Sequence, residues 1–514
     1  MPNNISNGAV AAGHEVTAAA AFELLEDGGN AFDAAIAGVL AACVAEPILA
    51  SPGGGGFMTA RKGDAGRGDT TRVFDFFAQT PRRKRARGDI DFREVHVDFG
   101  SVTQAFHIGL GAAATPGLLP GLFRVHERLG RVPMTRIAEP AIRAAREGVR
   151  VTAFQAYLLT VVEPILTASP ALRALFTDAE GRLLTEGAVQ KNAAIADALD
   201  ALAREGEVLA TKGEIAQAMA RQADDEGGHL TLDDLRFYEV ATRTPLEARA
   251  GDLRIETVPP PSTGGVMVAL GLDRLEATHR RKRVPAPDIA ATLLWMNTLR
   301  AECHGDPDAL VARRAQLQAD GQKKPQALRG TTHVSVVDGS GNAASVTVSN
   351  GEGCGALVPG CGFMLNNMLG EDDINPGGFH QWAENMRMCS MMAPMLAHDD
   401  AGKVMALGSG GSNRIRSALL QTALLLGRGA HPEEAVMHPR LHVEGTRADE
   451  ATKLSFEEGW PDAERDAMTR DYDITEPWPD PNMFFGGVHI AARDERGTLE
   501  GAGDPRRAGV FLKG

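Results

Sequence analysis

A threonine hydroxyl at the start of a predicted β-hairpin is the group in this sequence best placed to do chemistry. Val334 and Val336 alternate with polar residues, Asp338-Gly339 has the composition of a tight turn, and the alternation resumes over residues 343–350. Thr331 then lies where the first strand begins. A hydroxyl in this position can be a nucleophile if a base accepts its proton. The pattern alone also fits an ordinary hairpin, in which threonine is used for its β propensity.

The residues around this threonine resemble the γ-glutamyltransferase family of N-terminal-nucleophile hydrolases. The resemblance rests on Gly-Thr-Thr-His-Val-Ser-Val-Val-Asp at 330–338, Gly-Asn-Ala at 341–343 and Leu-Asn-Asn at 365–367, and it continues over nearly the whole chain. It implies an α/β protein, a four-layer αββα sandwich, built from both fragments of a precursor that cuts itself before residue 331. Residues 1–330 would form the large subunit and 331–514 the small subunit of one intertwined unit.

Cleavage between Gly330 and Thr331 would give a nucleophile that carries its own base. The threonine hydroxyl attacks, and the free α-amine, with a reference pKa of about 7.7–8.0, accepts the proton near neutral pH. In the precursor the same hydroxyl would attack the Gly330 carbonyl and form an ester that water opens. The family has a second hydroxyl eighteen residues after the nucleophile, which falls on Ser349 and is expected to hydrogen-bond Thr331. Asn350 lies one place from the ungapped position of a substrate-binding asparagine.

Further site residues follow from the resemblance. A Gly-Gly-Ser run resembles the oxyanion loop of the family, so the amides of Gly411 and Ser412 would face the developing negative charge. Ser390 matches a substrate-contacting serine, whereas Cys389 stands where the family has another serine. Glu371 occupies the position of the acidic residue that holds the α-amine of the substrate.

One departure from the family bears on the choice of substrate. Members that act on glutathione have an arginine in an Arg-Glu-Thr-Ala-Pro run, and this chain has Phe77-Ala78-Gln79-Thr80-Pro81. An apolar ring thus replaces a planar cation that grips a carboxylate, unless Arg82 or Arg83 restores the charge.

Three hypotheses stay open. The first is a self-processing enzyme that cleaves or transfers a γ-glutamyl or related acyl group from an amide such as glutathione. The second is an acylase for a dicarboxylic or apolar amide. The third is an unprocessed homologue without enzymatic activity.

Periodicity and turn residues predict the elements that must position these groups. Asn30 is expected to cap the second of two N-terminal helices, and residues 73–77 are expected to form a strand. Residues 311–330 have no firm period and predict a surface linker, which a self-cleaving junction also requires. Apolar spacing of three and four predicts helices at 17–26, 31–44, 134–146, 193–204, 214–222, 290–303 and 417–426.

Composition limits the classes of partner. The 514 residues carry 53 Lys and Arg against 67 Asp and Glu, a net charge of −14, which disfavours nucleic acid and anionic membrane surfaces. The basic runs at 82–85 and 280–283 are expected to be solvated surface. Five scattered cysteines without Cys-x-x-Cys spacing argue against disulfides and zinc, and no cofactor is expected. No signal peptide or membrane-spanning run is visible, so the expected location is the cytoplasm.

The expected partners are a small amide substrate, water or an amine as acceptor, and the two processed fragments themselves. The sequence leaves a homo-oligomer open.

Overall fold

The computed structural model describes residues 8–63, 71–98, 103–279, 282–303, 305–316, 330–375, 377–446 and 451–514. Its strands in these ranges are β1 (Gly8–Ala12), β2 (Gly55–Arg61), β3 (Arg72–Phe76), β4 (Arg93–Asp98), β5 (Thr103–Ile108), β6 (Val149–Arg150), β7 (Val189–Gln190), β8 (Ala241–Arg243), β9 (Leu246–Ala250), β10 (Leu253–Thr257), β11 (Thr332–Asp338), β12 (Ala343–Ser349), β13 (Met395–His398), β14 (Val404–Gly410), β15 (Leu441–Glu444), β16 (Lys453–Glu457), β17 (Ile474–Trp478), β18 (Gly487–Arg493), β19 (Leu499–Ala502) and β20 (Val510–Lys513).

The helices in the same ranges are α1 (Glu15–Glu26), α2 (Ala31–Ala45), α3 (Leu118–Leu129), α4 (Met134–Glu147), α5 (Ala153–Val161), α6 (Glu163–Leu166), α7 (Pro170–Phe176), α8 (Ala193–Glu205), α9 (Val208–Thr211), α10 (Glu214–Asp225), α11 (Leu232–Arg236), α12 (Thr263–His279), α13 (Ala286–Glu302), α14 (Pro307–Gln316), α15 (Arg414–Leu426), α16 (Pro432–Met437) and α17 (Asp462–Thr469). No helix in the described part of the chain is long and apolar enough to cross a membrane.

Two antiparallel sheets lie face to face at the centre of the molecule. The first has the strand order β20-β1-β11-β12-β2-β3-β8, and the second has the order β19-β18-β14-β13-β10-β9. Small and branched apolar side chains fill the space between them, among them Val337, Ala343, Leu396, Ala406 and Ala491, all fully buried. Because alternate residues of a strand point to opposite faces, the same strands also present an outer apolar face that must be covered.

Helices cover both outer faces and complete the four-layer αββα sandwich, which confirms the predicted fold class. Helices α1 and α2 lie on the first sheet, and α12 and α15 lie on the second. Asn30 caps α2 as predicted, because its side chain accepts from the backbone N–H groups of Phe32 and Asp33, and the Asp33 carboxylate accepts from the Asn30 N–H. Gly38 brings α2 close to β11, since a Cβ there would lie 3.1 Å from Val334.

Both sheets draw strands from either side of residue 330. In the first sheet β1 lies between β11 and β20, with Val10 opposite Val336 on one side and Leu512 on the other. The first 330 residues also supply β2, β3 and β8 to this sheet and β9 and β10 to the other. The two halves of the chain therefore share their sheets.

The predicted hairpin is present as β11 and β12, with Thr332 opposite Val348. The prediction of a turn at Asp338-Gly339 is wrong in detail. The positive φ, +81°, belongs to Gly341. The Asp338 carboxylate accepts the backbone N–H groups of Ser340 and Asn342, which holds a wider loop than a two-residue turn.

Two boundaries differ from the predictions. Helix α13 starts at Ala286 rather than near residue 290. The proline in its first turn is tolerated, because the backbone N–H that proline lacks would have no hydrogen-bond partner within the helix at that position. The predicted linker at 311–330 is helical up to residue 316, within α14. Residues 317–329, and 280–281 of the second basic run, lie outside the described residues.

Candidate active site

A narrow cleft with a cavity volume of about 30 Å³ opens beside the start of β11. Its polar lining includes six residues that the sequence singled out: Gly330, Thr331, Ser349, Glu371, Ser390 and Ser412. Its apolar lining is formed by Phe77, Met368, Ile374, Met391, Met392 and Ile415. Residues separated by more than 300 positions in the chain thus meet in one small space.

Two hydroxyl groups converge on one carbonyl oxygen in this cleft. The Thr331 hydroxyl donates to the Gly330 carbonyl oxygen at 2.7 Å, and the Ser349 hydroxyl donates to the same atom at 2.8 Å. The pairing of β11 with β12 brings Ser349 back beside the start of β11. The hydrogen bond that was expected between Ser349 and the Thr331 hydroxyl is thus replaced by a contact with the carbonyl that Thr331 would attack.

Gly330 is also held at its backbone N–H. The Gly330 N–H donates to Oε1 of Glu352 at 3.1 Å, and the Ser349 hydroxyl oxygen accepts from the Gly351 N–H at 3.0 Å. Thr331 and Ser349 are only 5% and 8% exposed. Gly330 is thus held at both its N–H and its carbonyl, in a site that little water reaches.

The loop after β14 passes close to the nucleophile candidate. A Cβ at Gly410 would lie 2.2 Å from the Thr331 carbonyl oxygen, so only glycine fits there. The next two residues both have positive φ, +116° at Gly411 and +50° at Ser412. A positive φ at serine stores strain, which is often found at functional sites. Ser412 lines the cleft, whereas Gly411 is not among its lining residues; their role as oxyanion donors stays a prediction.

Arg507 lies against this loop, and sequence reasoning did not anticipate it. One guanidinium nitrogen of Arg507 donates to the Thr331 carbonyl oxygen at 3.3 Å, and a Cβ at Gly411 would meet the other at 3.3 Å. Burial lowers the pKa of Arg507 to about 10, although the nearby carboxylates of Asp504 and Glu46 act in the opposite direction. The available signal is the Gly-Asp-Pro-Arg-Arg run at 503–507, which lies within the stretch over which the family resemblance continues.

The neighbouring arginine has a different environment. Arg506 pairs with Glu457 at 2.5 Å and with Asp504 at 3.3 Å. Arg440 binds the second oxygen of Asp504 at 2.6 Å. This buried network anchors the C-terminal segment, and so fixes where Arg507 points.

The buried histidines nearest this region are neutral and do not line the cleft. His333 contacts the hydroxyls of Thr347 and Ser335, both at 2.8 Å, and burial holds its pKa well below the usual range. His489 accepts the Asp504 N–H at its Nδ1, and burial lowers its pKa to about 4. Neither His333 nor His489 is therefore placed as the base for Thr331.

The other predicted binding residues divide into two groups. Glu371 and Ser390 line the cleft, 6% and 4% exposed. Cys389 is not among the lining residues, and its thiol donates to the Ile374 carbonyl oxygen at 3.5 Å. Asn350 is fully buried, and a Cβ at Gly353 would lie 3.1 Å from its amide nitrogen. Cys389 and Asn350 therefore do not line the cleft, and their roles stay predictions.

Phe77 lines the cleft and stands at the sequence position of the family's carboxylate-binding arginine. Its ring stacks on Phe57 with centroids 5.5 Å apart. Arg82 binds the Asn385 side chain at 3.3 Å and lies over the Phe237 ring, and Arg83 lines a different pocket. Among the described residues that line the cleft none is an arginine or a lysine. The structure thus does not bring Arg82 or Arg83 to the site.

Comparisons with known proteins agree with this geometry. The family model described as Gamma-glutamyltranspeptidase matches residues 17–513. The Glutathione hydrolase proenzyme of Escherichia coli strain K12 is 29% identical over 86% of this chain and 82% of its own length. The Acylase ACY 1 proenzyme of Pseudomonas sp. strain SE83 is 29% identical over 98% of this chain and 92% of its own. The crystal structure of cephalosporin acylase from Bacillus halodurans has the same fold, with a TM-score of 0.77 at 22% identity over 99% of this chain and 96% of that one.

Proposed function

Because the chain belongs to the gamma-glutamyltranspeptidase family and is therefore an N-terminal-nucleophile amidohydrolase, we propose that it cuts itself between Gly330 and Thr331 and then uses Thr331 as its nucleophile. The observation that carries this proposal is the convergence of the Thr331 and Ser349 hydroxyls on the Gly330 carbonyl oxygen, at 2.7 and 2.8 Å. Membership of an enzyme family leaves the hypothesis of a non-enzymatic homologue without support.

Self-processing starts with attack of the Thr331 oxygen on the Gly330 carbonyl carbon. The Ser349 hydroxyl, already donating to the carbonyl oxygen, stabilises the negative charge that forms there. Collapse of the intermediate breaks the C–N bond, moves the proton of the Thr331 hydroxyl to the leaving nitrogen, and so leaves the acyl group on oxygen and the Thr331 amine free. Water then hydrolyses the ester and releases the Gly330 carboxylate. The two fragments stay associated, because both sheets contain strands of each.

Turnover repeats the same chemistry on an external amide. The α-amine of Thr331 accepts the hydroxyl proton, the oxygen attacks the substrate carbonyl, and the amine returns the proton to the leaving nitrogen. Water or an acceptor amine then resolves the ester and regenerates the threonine. The amides of Gly411 and Ser412 are the proposed donors to the oxyanion.

The acyl group is proposed to be γ-glutamyl or a close relative, from an amide such as glutathione. The E. coli relative is named a glutathione hydrolase, and Glu371 lines the cleft, where its carboxylate can bind the α-amine of a glutamyl group.

A second candidate, an acylase for a dicarboxylic or apolar amide, is favoured by a specific observation. Six apolar side chains line the cleft, and Phe77 stands where a cation would bind the α-carboxylate. The similar Pseudomonas protein is named an acylase. An apolar acyl group, which has no carboxylate, would not need the missing cation, whereas a dicarboxylic acyl group would.

The intact mass of the purified protein tests the proposal. The wild-type chain is expected to give two fragments, residues 1–330 and 331–514, and Thr331→Ala is expected to give one chain of 54.4 kDa without turnover. Thr332→Ala is the matched control, since the Thr332 hydroxyl binds Glu46 rather than Gly330. A Thr331→Ala protein that still splits at this bond would show that an external protease cuts the chain.

A further inference from the structure

A second pocket, separate from the cleft at Thr331, lies where residues 83–85 meet residues 217–232. Its volume is about 470 Å³, within the range of about 300–1,000 Å³ that small-molecule sites have. None of the described residues that line it also lines the cleft. A molecule bound there would leave the Thr331 site open.

The side chains around this pocket carry an excess of positive charge. Arg83, Lys84, Arg85 and Arg221 line it, against one carboxylate, that of Asp224. Asp224 is already paired with Arg85 at 2.6 Å. Arg83 and Arg221 are exposed and have no ion-pair partner among the described residues. In a chain with a net charge of −14, such a local excess attracts anions.

A buried histidine adds a directional donor to these charges. His229 lines the pocket although it is only 4% exposed. The Arg85 backbone N–H donates to Nδ1 of His229 at 2.9 Å, so the ring carries its hydrogen on Nε2. None of the described residues accepts a hydrogen bond from the N–H at Nε2. Burial, helped by the charges of His380, Arg85 and Lys84, lowers the pKa of His229 to about 4 and keeps the ring neutral.

We propose that the pocket around His229 binds a small organic oxyanion, a phosphate or carboxylate group attached to a compact apolar body. The cations provide attraction, and the fixed N–H of His229 provides a direct hydrogen bond to an oxygen of the anion. The apolar body would lie against Ala220, Leu230 and Leu232, which complete the lining. Sequence reasoning treated this basic run as solvated surface, because the residues that enclose it lie more than 130 positions further along the chain.

Calorimetric titration of the mature enzyme at low ionic strength tests the site. The probes are phenyl phosphate, benzoate, inorganic phosphate and neutral benzyl alcohol. Phenyl phosphate or benzoate is expected to bind with a Kd of about 1 mM or tighter, and the stronger of the two identifies the group. Inorganic phosphate should bind more weakly because it lacks the apolar body, and benzyl alcohol should not bind. Raised salt should weaken binding of the anions.

Two double variants with equal loss of charge locate the site. Arg83→Gln with Arg221→Gln is expected to weaken anion binding by about ten-fold or more. Arg128→Gln with Arg173→Gln removes two exposed arginines elsewhere and should leave the Kd unchanged. The proposal fails if no anionic probe saturates the protein by about 10 mM, because the Kd would then lie well above the value of about 1 mM expected for this site. It also fails if both double variants weaken binding equally, or if benzyl alcohol binds as tightly as the anions.

Discussion

Ser349 donates its hydroxyl hydrogen to the carbonyl oxygen of Gly330 at 2.8 Å, from the strand that pairs with β11. The same hydroxyl accepts the Gly351 N–H, which fixes its rotamer and leaves its hydrogen directed at the carbonyl. Ser349 is therefore placed to bind the oxygen that becomes negative during self-processing, before it has any part in turnover.

We predict that Ser349→Ala slows self-processing by about 10²-fold, the usual cost of losing one oxyanion donor. The measurement is the time course of the 54.4 kDa band after synthesis. Ser349→Thr should process at a rate close to wild type because it keeps the hydroxyl. Ser345→Ala is the matched control on the same strand, since the Ser345 hydroxyl binds the Leu407 carbonyl. Equal processing of Ser349→Ala and Ser345→Ala would contradict the assignment.

We predict that Arg507 helps to keep the α-amine of mature Thr331 neutral. Its guanidinium contacts the Thr331 carbonyl oxygen, so its charge lies within about 6 Å of the amine. Such a cation disfavours the charged amine, whereas Glu46 and Glu352 favour it. Arg507→Met should raise the amine pKa and move the acidic limb of kcat/KM upward by about one pH unit.

Arg507→Lys separates charge from packing in this experiment. It keeps the cation, so its acidic limb should stay near that of the wild type. Complete processing, read by intact mass, shows that each variant has folded. An unmoved acidic limb in processed Arg507→Met would mean that Arg507 serves packing alone.

Buried neutral histidines predict a loss of stability on mild acidification. The unfolded chain protonates His489 near pH 6.5, whereas the folded chain protonates it only near pH 4. Between these values the unfolded state binds the extra proton, so the free energy of unfolding falls as the pH falls, by up to about 3 kcal/mol for this group. The check is the urea midpoint of uncut Thr331→Ala protein between pH 7 and pH 4.5.

The contribution of His489 is isolated by comparing two further variants in that background. The His489→Gln protein should be less stable at neutral pH, but its free energy of unfolding should fall less on acidification. His96→Gln, at an exposed position, should keep the pH dependence of the parent. Identical pH dependence in all three proteins would rule out His489 as the source.

The lining of the cleft predicts that turnover depends only weakly on the α-carboxylate of the substrate. We expect kcat/KM for a γ-glutamyl anilide to exceed that for a 4-aminobutyryl anilide, which keeps the amine but lacks the α-carboxylate, by less than about 100-fold, the scale of discrimination by a hydrophobic pocket without dedicated polar partners. Glu371→Gln should lower kcat/KM for the glutamyl anilide and leave that for a glutaryl anilide nearly unchanged, because the glutaryl compound lacks the α-amine. A preference for the glutamyl over the 4-aminobutyryl anilide larger than about 100-fold would mean that another residue binds the α-carboxylate.

Local sequence signals were enough for the elements that carry the site. The alternation around Val334 and Val346 identified the hairpin, and Asn30 marked the start of α2, because period and capping act over a few residues. The link between these elements and the αββα fold came from the resemblance, since periodicity does not say which strands share a sheet.

Long-range contacts were beyond the reach of those signals. Arg507 contacts Thr331 across 176 positions of the chain. The pocket around His229 is lined by residues from 83–85 and 217–232, two segments that no local sequence pattern links. The positive φ of Ser412 also went unpredicted, because serine does not normally adopt it and only the packed surroundings impose it.

The placement of β1 between β11 and β20 gives self-processing a meaning beyond activation. The Gly330 carbonyl meets Ser349, and the Gly330 N–H meets Glu352, only after the sheet has formed around them, so a misfolded chain cannot cut itself. Every molecule with a free Thr331 amine would therefore have folded correctly before it was cut. The ratio of cut to uncut chains on a denaturing gel would then report the fraction of molecules that have folded. Destabilising substitutions far from the cleft could be ranked by the fraction of chains that remain uncut.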